Sequence, residues 1–499
     1  EGVGPIPPVS EPVEWDYETD VVVVGFGLGG HAAALGACKE GANIIALEAS
    51  DDPCEHAGVR AMIGAGGKDW EEKTGIKWDE TTMEELVRLT WEKTSYQTDR
   101  GLIRKLVEEF PKTVVMLEEL GLRFTSVPAF MMEEQKIPFL VYLPDNTDLE
   151  EYSPTDPWLY KFMQVERTIE RYVGKMGAKI YYSTKAEKLV TDSTGRVVGI
   201  EAKGAEGETL YIKAKSVDLA TGGYGANYDM IKYYGWIDKF CGCYVGPTTN
   251  MGEGIRMGQG VGAEICGIPS TCIGDAGIDA VEAGLPWTYR YKYYPDGKTV
   301  PGNYKSSIQV ARQPILKVNL YGERFMNENS TWEIKALAAY SQPGNYFFAI
   351  YDGDIEKTIE AIKKARYGWC EEMITPELRI FYNDDDMRTL WHWRDDFDNA
   401  IEKGLIVKAD TLEELAIKLG ISKDGFLRTV ARYNEYCEKG VDEEFGKEKE
   451  FLFPIRKPPF YGMKRRGAFL WVSAGGLRIN EKAQVLDKVG KPIPGLYAG

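Results

Sequence analysis

The chain has 499 residues, of which 43% are hydrophobic and 27% charged; this composition excludes a disordered or fibrous protein, and the length favours two or three domains. Its formal net charge of −17 repels phosphate backbones, so we predict no nucleic-acid partner. Since no uncharged apolar run reaches the ~18 residues that cross a bilayer, we also predict no integral membrane segment.

The first segment, residues 1–14, contains the run Gly4-Pro-Ile-Pro-Pro8, which can form neither a helix nor a strand ladder. We therefore predict an extended Pro-rich leader. The chain starts with Glu1 rather than methionine, which fits either removal of an export signal or shortening of the chain. Localisation stays open, and the leader favours an exported, extracytoplasmic protein over a cytoplasmic one.

A βαβ unit follows. Four valines at residues 21–24 predict a strand buried on both faces, and an alanine-rich helix leads to a second strand that ends at Glu48. In the turn between the first strand and the helix, Gly25 permits the tight bend, Gly27 lets a diphosphate approach the backbone, and Gly30 allows close helix packing. Glu48 is placed to accept ribose hydroxyls and disfavours the 2′-phosphate of NADP. The pattern predicts a dinucleotide site.

Histidine and cysteine are sparse. The only histidines are His31, His56 and His392, which excludes a His-rich metal centre, and we predict no metal site. His31 lies on the dinucleotide helix and is predicted to be a packing residue. The eight cysteines are scattered and are predicted to be mostly small buried hydrophobes; an iron–sulfur cluster gathered from distant loops stays open.

Further glycine-rich turns occur at residues 58–67, 217–223, 252–258 and 493–499. Together with the βαβ unit, these motifs resemble the flavoprotein superfamily of fumarate reductases, urocanate reductases and 3-ketosteroid dehydrogenases. The resemblance runs from about Asp16 to the end of the chain. It implies an α/β fold: a Rossmann-like FAD-binding domain, split in sequence, with an inserted α+β capping domain. The implied ranges are 15–275 and 455–499 for the FAD domain and 276–454 for the cap, with an FAD domain that ends early at residue 499.

The resemblance implies FAD as the cofactor. Covalent attachment in related enzymes uses a histidine inside the second glycine-rich loop, where this chain has Val59 and Arg60, so we predict noncovalent FAD. Glu253 stands where the family usually has aspartate. The implied cofactor-binding residues are Gly25, Gly27, Gly29, Gly30, Glu48, Ala49, Gly58, Arg60, Gly64, Gly66, Gly67, Ala186, Ala220, Thr221, Gly222, Gly223 and Glu253.

The catalytic segments depart from those of fumarate reductases, which use histidines and arginines to clamp carboxylates and deliver a proton. The segment that should hold the proton-delivering arginine is Asn329-Ser-Thr-Trp332, and the segment that should hold paired histidines is Phe469-Leu-Trp-Val-Ser473. A dicarboxylate needs charge-assisted hydrogen bonds. The absence of these histidine and arginine donors favours a bulky, mostly uncharged substrate. In this respect the chain resembles the ketosteroid dehydrogenase branch more than the fumarate reductases.

We therefore predict hydride transfer between flavin N5 and a C=C bond conjugated to a carbonyl, in a steroid-like or aromatic enone. The catalytic candidates are Arg312, Tyr289 and Ser473, as proton relay or carbonyl hydrogen-bond donors. An external electron donor or acceptor is implied: a cytochrome, a quinone or a soluble carrier. Two alternatives stay open: reduction of a small unsaturated acid such as fumarate or urocanate, and a non-catalytic flavin electron-transfer subunit.

Overall fold

The computed structural model divides the chain into two compact units, residues 1–236, 247–271 and 473–499 in the first and residues 237–246 and 272–472 in the second. It describes residues 2–51, 62–94, 96–129, 137, 139–144, 164–235, 249–267, 271–273, 313–330, 332–364, 393–402, 404–466, 470–473 and 475–499.

The strands, in chain order, are β1 Val9–Ser10, β2 Tyr17–Val24, β3 Ile44–Leu47, β4 Met62–Gly64, β5 Phe124–Ala129, β6 Phe139–Pro144, β7 Lys179–Tyr181, β8 Lys185–Thr191, β9 Val197–Lys203, β10 Thr209–Leu219, β11 Ile265–Cys266, β12 Thr271–Ile273, β13 Lys317–Val318, β14 Tyr346–Tyr351, β15 Val407–Ala409, β16 Phe460–Arg466, β17 Leu470–Ser473, β18 Gly476–Leu477, β19 Gln484–Leu486 and β20 Pro492–Ala498.

The helices are α1 Leu28–Lys39, α2 Trp70–Thr74, α3 Glu80–Lys93, α4 Arg100–Glu119, α5 Gln164–Lys175, α6 Tyr228–Gly235, α7 Glu253–Gly260, α8 Trp332–Tyr340, α9 Ile355–Lys364, α10 Trp393–Glu402, α11 Leu412–Leu419 and α12 Lys423–Lys439. None of these helices, within the described residues, combines the length and apolar composition that a membrane crossing requires.

The first unit is built on one large mixed sheet. Its strand order is β1-β8-β9-β10-β2-β3-β7, and β20 pairs with the end of β10. Strands β10, β2, β3 and β7 run parallel, whereas β8 and β9 form an antiparallel meander. Three of the four valines of β2 (residues 22–24) and all of β3 are buried because apolar clusters cover both faces, which explains their unbroken hydrophobic runs. Helices α1 and α5 cover one of these faces.

A smaller sheet belongs to the same unit. Strands β4, β6 and β5 pair antiparallel, and helices α2 to α4 contribute Trp70, Leu86 and Val114 to the apolar cluster beside it.

The second unit contains the sheet β13-β14-β16-β15, with an apolar cluster on each face. Helix α11 has the ends that its sequence predicts: the Thr411 hydroxyl accepts the N–H of Glu414, and Gly420 ends the helix with φ +70°.

Two ranges differ from the sequence-based expectation. The predicted leader is extended, but Val9 pairs with Val190 as an edge strand of the large sheet, because Ile6 has apolar partners in that core. At the other end, β16 joins the second unit rather than the FAD domain, since its residues 461–466 pair with β14. The chain returns to the first unit at residue 473 rather than 455.

Candidate dinucleotide site

The first turn of the large sheet has the geometry of a dinucleotide site. Gly25 adopts φ +89°, and a Cβ there would lie 2.4 Å from the carbonyl oxygen of Ala220. A Cβ on Gly30 would lie 2.0 Å from the carbonyl oxygen of Gly25. In contrast, a Cβ on Gly27 would meet no atom of the described residues within 4 Å, so with respect to them the space in front of this residue is open.

Gly27 is also the N-cap of α1, and no side chain caps that end. The helix therefore presents its first N–H groups and its positive dipole end without a competing side chain, which suits a diphosphate. Gly29 lies beside it, with its Cβ position 3.1 Å from the carbonyl oxygen of Gly499.

The acid at the end of β3 is fixed by its neighbours. The Glu48 carboxylate accepts the N–H of Phe26 at 2.8 Å, and it accepts both the N–H and the hydroxyl of Ser50, at 2.9 and 2.8 Å. A carboxylate offers about four acceptor positions. Three of these positions are occupied, and the one that remains, on Oε2, fits a hydroxyl of an adenosine ribose. Ala49, the next residue, is exposed.

His31 is fully buried, and its Nδ1 lies 2.9 Å from the carbonyl oxygen of Gly27. Its ring stacks on Phe26 with the centroids 4.0 Å apart. Burial lowers its pKa, so the imidazole is neutral near pH 7. These contacts agree with the packing role that we predicted.

The second glycine-rich loop is only partly described, since Gly58 and Arg60 lie outside the described residues. Its later glycines pack against aromatic rings: Cβ positions on Gly64 and Gly66 would lie 2.4 Å from Phe110 and 2.5 Å from Trp78. Gly67 has φ +98°, and its Cβ position is 2.8 Å from the hydroxyl of Tyr142. Tyr142 in turn donates to the carbonyl oxygen of Gly66 at 2.9 Å. Close packing thus accounts for these glycines, and their contact with FAD stays a prediction.

The turn after β10 is the third predicted element. Ala220 carries the carbonyl that excludes a side chain from Gly25. Gly222 has φ +68°, and a Cβ on Gly223 would lie 2.2 Å from the hydroxyl of Ser473. Ser473 accepts the N–H of Tyr224 at 2.8 Å. Ser473, a catalytic candidate, is therefore a neighbour of this turn.

Glu253 begins α7 beside the same turn. A Cβ on Gly254 would lie 2.1 Å from the hydroxyl oxygen of Thr221. Glu253 forms an ion pair of 2.7 Å with Lys185, the first residue of β8, and the next residue is the buried Ala186. Sequence reasoning missed Lys185, because its partner lies 68 positions away and no motif links them.

The structure thus gathers most cofactor candidates in one unit, at the ends of β2, β3 and β10. The other catalytic candidates, Arg312 and Tyr289, lie outside the described residues. Over the residues that are described, no cluster of three or more His, Cys, Asp and Glu side chains could hold a metal ion.

The site residues fit FAD: an open diphosphate position at Gly27, an uncapped helix end and an oriented ribose acceptor at Glu48. The noncovalent attachment stays a prediction.

Comparisons with known proteins agree with this geometry. The FAD binding domain family model matches residues 20–498. The vinyl phenol reductase of Lactiplantibacillus plantarum is 27% identical over 491 residues, 96% of this chain and 88% of that protein. The urocanate reductase of Eggerthella lenta is 26% identical over 96% of this chain and 69% of its own length.

Among solved structures, a 3-ketosteroid-Δ4-(5α)-dehydrogenase from Rhodococcus jostii shares the fold with a TM-score of 0.69 and 23% identity, covering 99% of this chain and 92% of that one. The predicted fold class and the FAD cofactor are confirmed. The chain belongs to the FAD binding domain family, and it is an FAD-dependent oxidoreductase that acts on carbon–carbon double bonds of unsaturated substrates.

Proposed function

We propose that this enzyme reduces a C=C bond conjugated to an aromatic ring or a carbonyl in a bulky, mostly uncharged substrate. The observation that carries the proposal is the residue content of the two catalytic segments. Neither residues 329–332 nor residues 469–473 contain an arginine or a histidine. A dicarboxylate leaves water only where charged donors replace its hydration, so these segments favour an apolar molecule.

The arginine that is nearest in sequence to residues 329–332 does not supply a positive charge for a substrate carboxylate. Arg324 is fully buried at its side chain, and it forms ion pairs of 2.9 Å with both Glu328 and Asp442. Its guanidinium is neutralised by two carboxylates, and it is therefore not available to bind a substrate carboxylate. Asn329, the first residue of the segment, donates to Glu448 at 2.8 Å.

The similarity to a vinyl phenol reductase over nearly the whole chain supports the same substrate class, since a vinyl phenol is aromatic and carries no carboxylate. The sequence identity to a urocanate reductase is about as high as that to the vinyl phenol reductase. The proposal therefore rests on the residues of the two catalytic segments and not on the relatives.

The reaction needs a hydride on one carbon of the double bond and a proton on the other, and bound FAD supplies the hydride. The chain must hold the substrate and provide the proton. Arg312, Tyr289 and Ser473 are the proposed donors. Ser473 accepts the N–H of Tyr224 through its oxygen, which leaves its own hydroxyl proton free to be donated elsewhere. An external electron donor, a cytochrome, a quinol or a soluble carrier, returns FAD to its reduced state.

The test is anaerobic reoxidation of the reduced enzyme. FAD is reduced in the absence of oxygen, and 4-vinylphenol, a hydroxycinnamate ester, a steroid enone, urocanate and fumarate are added separately. We expect the oxidised flavin spectrum to return with at least one of the apolar substrates, and the reduced product to appear in equal amount.

Return of the flavin spectrum with fumarate or urocanate alone would contradict the proposed substrate class. A flavin that stays reduced with all five compounds would favour the electron-transfer alternative.

A further inference from the structure

An ion pair joins two segments that border the cofactor site, the turn before β8 and the start of α7. In the large sheet the neighbours β10, β2, β3 and β7 run parallel and end at one edge. Ligands of such sheets bind outside the carboxyl ends of the strands. The Gly25 turn follows β2 and therefore has β10 on one side and β3 and β7 on the other.

Lys185 follows a turn that is anchored at the end of β3, whereas the strand that it begins, β8, pairs with β9 on the β10 side of the sheet. The turn that precedes it is tied to the end of β3 by two backbone hydrogen bonds: Ser183 donates to the carbonyl of Ser50 and Thr184 to that of Glu48, both at 2.8 Å. Glu48 is the acid whose carboxylate is oriented for a ribose. Lys185 therefore starts β8 directly beside the ribose end of the site.

Glu253 is anchored on the β10 side. It follows Gly252, whose backbone N–H donates to the carbonyl of Gly223 at 3.1 Å. Gly254, the next residue of α7, packs against Thr221. The start of α7 is thus fixed to the turn after β10.

The ammonium of Lys185 and the carboxylate of Glu253 lie 2.7 Å apart, with side chains 53% and 19% exposed. We propose that this ion pair is a clasp that joins the turn bonded to the end of β3 to the start of α7, and that it slows the release of FAD.

This inference concerns the cofactor and holds for any substrate. It also gives a physical reason for glutamate at position 253, where aspartate is usual: the longer side chain reaches Lys185. Lys185 is a positioning residue, since it acts through Glu253.

The experiment measures the rate of FAD release from the holoenzyme. Release is followed by the rise in flavin fluorescence after dilution into an excess of a trapping apo-flavoprotein, for the wild type, Lys185→Met, Glu253→Gln and Lys188→Met. The last is a matched control, because Lys188 pairs with Glu201 at the same 2.7 Å on the same strand and with similar exposure, 41% and 8%.

We expect release from Lys185→Met and from Glu253→Gln to be about threefold to tenfold faster than from the wild type, as for a partly exposed ion pair. Lys188→Met should stay within about twofold of the wild type. High salt should speed wild-type release and leave the Lys185→Met rate almost unchanged, because screening weakens only an intact pair.

Three results would overturn the proposal: release from Lys185→Met at the wild-type rate, equal acceleration in Lys188→Met, or slower release from Glu253→Gln. Thermal unfolding of the apoproteins distinguishes an effect on FAD release from a general loss of stability. If the pair acts as a clasp, Lys185→Met should lower the apoprotein Tm no more than Lys188→Met does. A larger loss of Tm for Lys185→Met would assign the pair to folding instead.

Discussion

At the scale of single residues, glycines of one motif serve different physical ends. Gly25 has a left-handed φ and no room for a Cβ, since the nearest obstacle is backbone. Gly27 has an ordinary φ of −75° and open space in front of it. The first glycine is therefore required by the fold, and the second by the ligand.

Substitution by alanine should separate these two requirements. We expect Gly25→Ala to lower the free energy of unfolding of the apoprotein by about 2 kcal/mol or more, because strain and a backbone clash add. Gly27→Ala should leave the apoprotein within about 0.5 kcal/mol of the wild type but weaken FAD binding at least tenfold, on the order of 1.4 kcal/mol. Denaturant unfolding of the apoproteins measures the stability, and titration with FAD measures the affinity. A destabilised Gly27→Ala apoprotein would contradict the conclusion that Gly27 is required by the ligand and not by the fold.

Ser473 can be tested as a positioning or a catalytic residue. Its hydroxyl accepts the N–H of the buried Tyr224, so Ser473→Ala leaves that N–H without this acceptor. We expect a loss of stability of about 1 to 2 kcal/mol. If Ser473 only orients the turn, the rate constant of flavin reoxidation by substrate stays within a few fold of the wild type; a loss of about a hundredfold or more at saturating substrate would instead assign proton donation to Ser473.

Asp218 links stability to pH. It lies in β10 between Val23 and Tyr497, and one carboxylate oxygen is buried without a hydrogen bond to any residue that the structure describes. Burial raises the pKa of Asp218 to about 6, whereas an unfolded carboxyl group titrates near ~4. Between these values the unfolded state has lost its proton and the folded state has kept it. A rise in pH therefore favours unfolding, by about 3 kcal/mol once the pH exceeds the folded pKa.

Asp218→Asn removes this titration. We expect the stability of Asp218→Asn relative to the wild type to increase from about pH 4 to about pH 7 and then to stay constant. Urea unfolding at several pH values measures this difference. A difference that is independent of pH would show that Asp218 is not the group that titrates.

At the scale of elements, the predicted leader has a structural role. Ile6 donates to the carbonyl of Arg256, and the Arg256 side chain donates to the carbonyl of Gly4, at 2.9 and 2.8 Å. The N-terminal segment thus lies along α7, the helix that begins with Glu253. Gly260 at the end of α7 permits this approach, since a Cβ there would lie 1.8 Å from the carbonyl oxygen of Ile6.

Gly260→Ala should displace the N-terminal segment. We expect faster proteolysis within residues 2–10 and a loss of about 1 to 3 kcal/mol in stability, because the clash is with backbone. Gly36→Ala in α1 is the control: a Cβ there meets nothing within 4 Å, and alanine should add up to about 1 kcal/mol to the stability. Equal protease resistance of Gly260→Ala and the wild type would contradict this role.

At the scale of the whole molecule, each unit has apolar clusters of its own, and the second unit also contains a buried charge cluster. Arg324 pairs with Glu328 and Asp442, and Lys447 lies 3.2 Å from Glu328. Removal of one buried charge leaves its partners unpaired in a medium of low dielectric constant.

Calorimetry should resolve the two units. We expect Arg324→Met to destabilise the second unit by about 3 to 5 kcal/mol, and FAD to raise the transition of the first unit through mass action. The control is Lys439→Met, whose exposed pair with Glu443 should contribute no more than about 0.5 kcal/mol. A single transition that both FAD and Arg324→Met shift equally would show that the units unfold together.

Much of the fold and of the cofactor site could be predicted from the sequence, because the determining interactions are local. The valines of β2, the glycines that follow and the acid at the end of β3 lie within thirty residues of one another. In such a βαβ unit the backbone conformation itself forms the diphosphate site. The capping of α11 is local for the same reason.

Contacts between distant segments could not be predicted. The pair of Lys185 with Glu253, the hydrogen bond of Ser473 with Tyr224 and the pairing of β16 with β14 join residues 68 or more positions apart. No local pattern encodes such partners, since each depends on where the sheet places both segments. The sequence alone determined the βαβ unit and its dinucleotide site through short-range backbone requirements, and its resemblance to the flavoprotein superfamily implied FAD and the α/β architecture. Only the tertiary structure decided which side chains border the site, because their contacts come from the packing of distant strands.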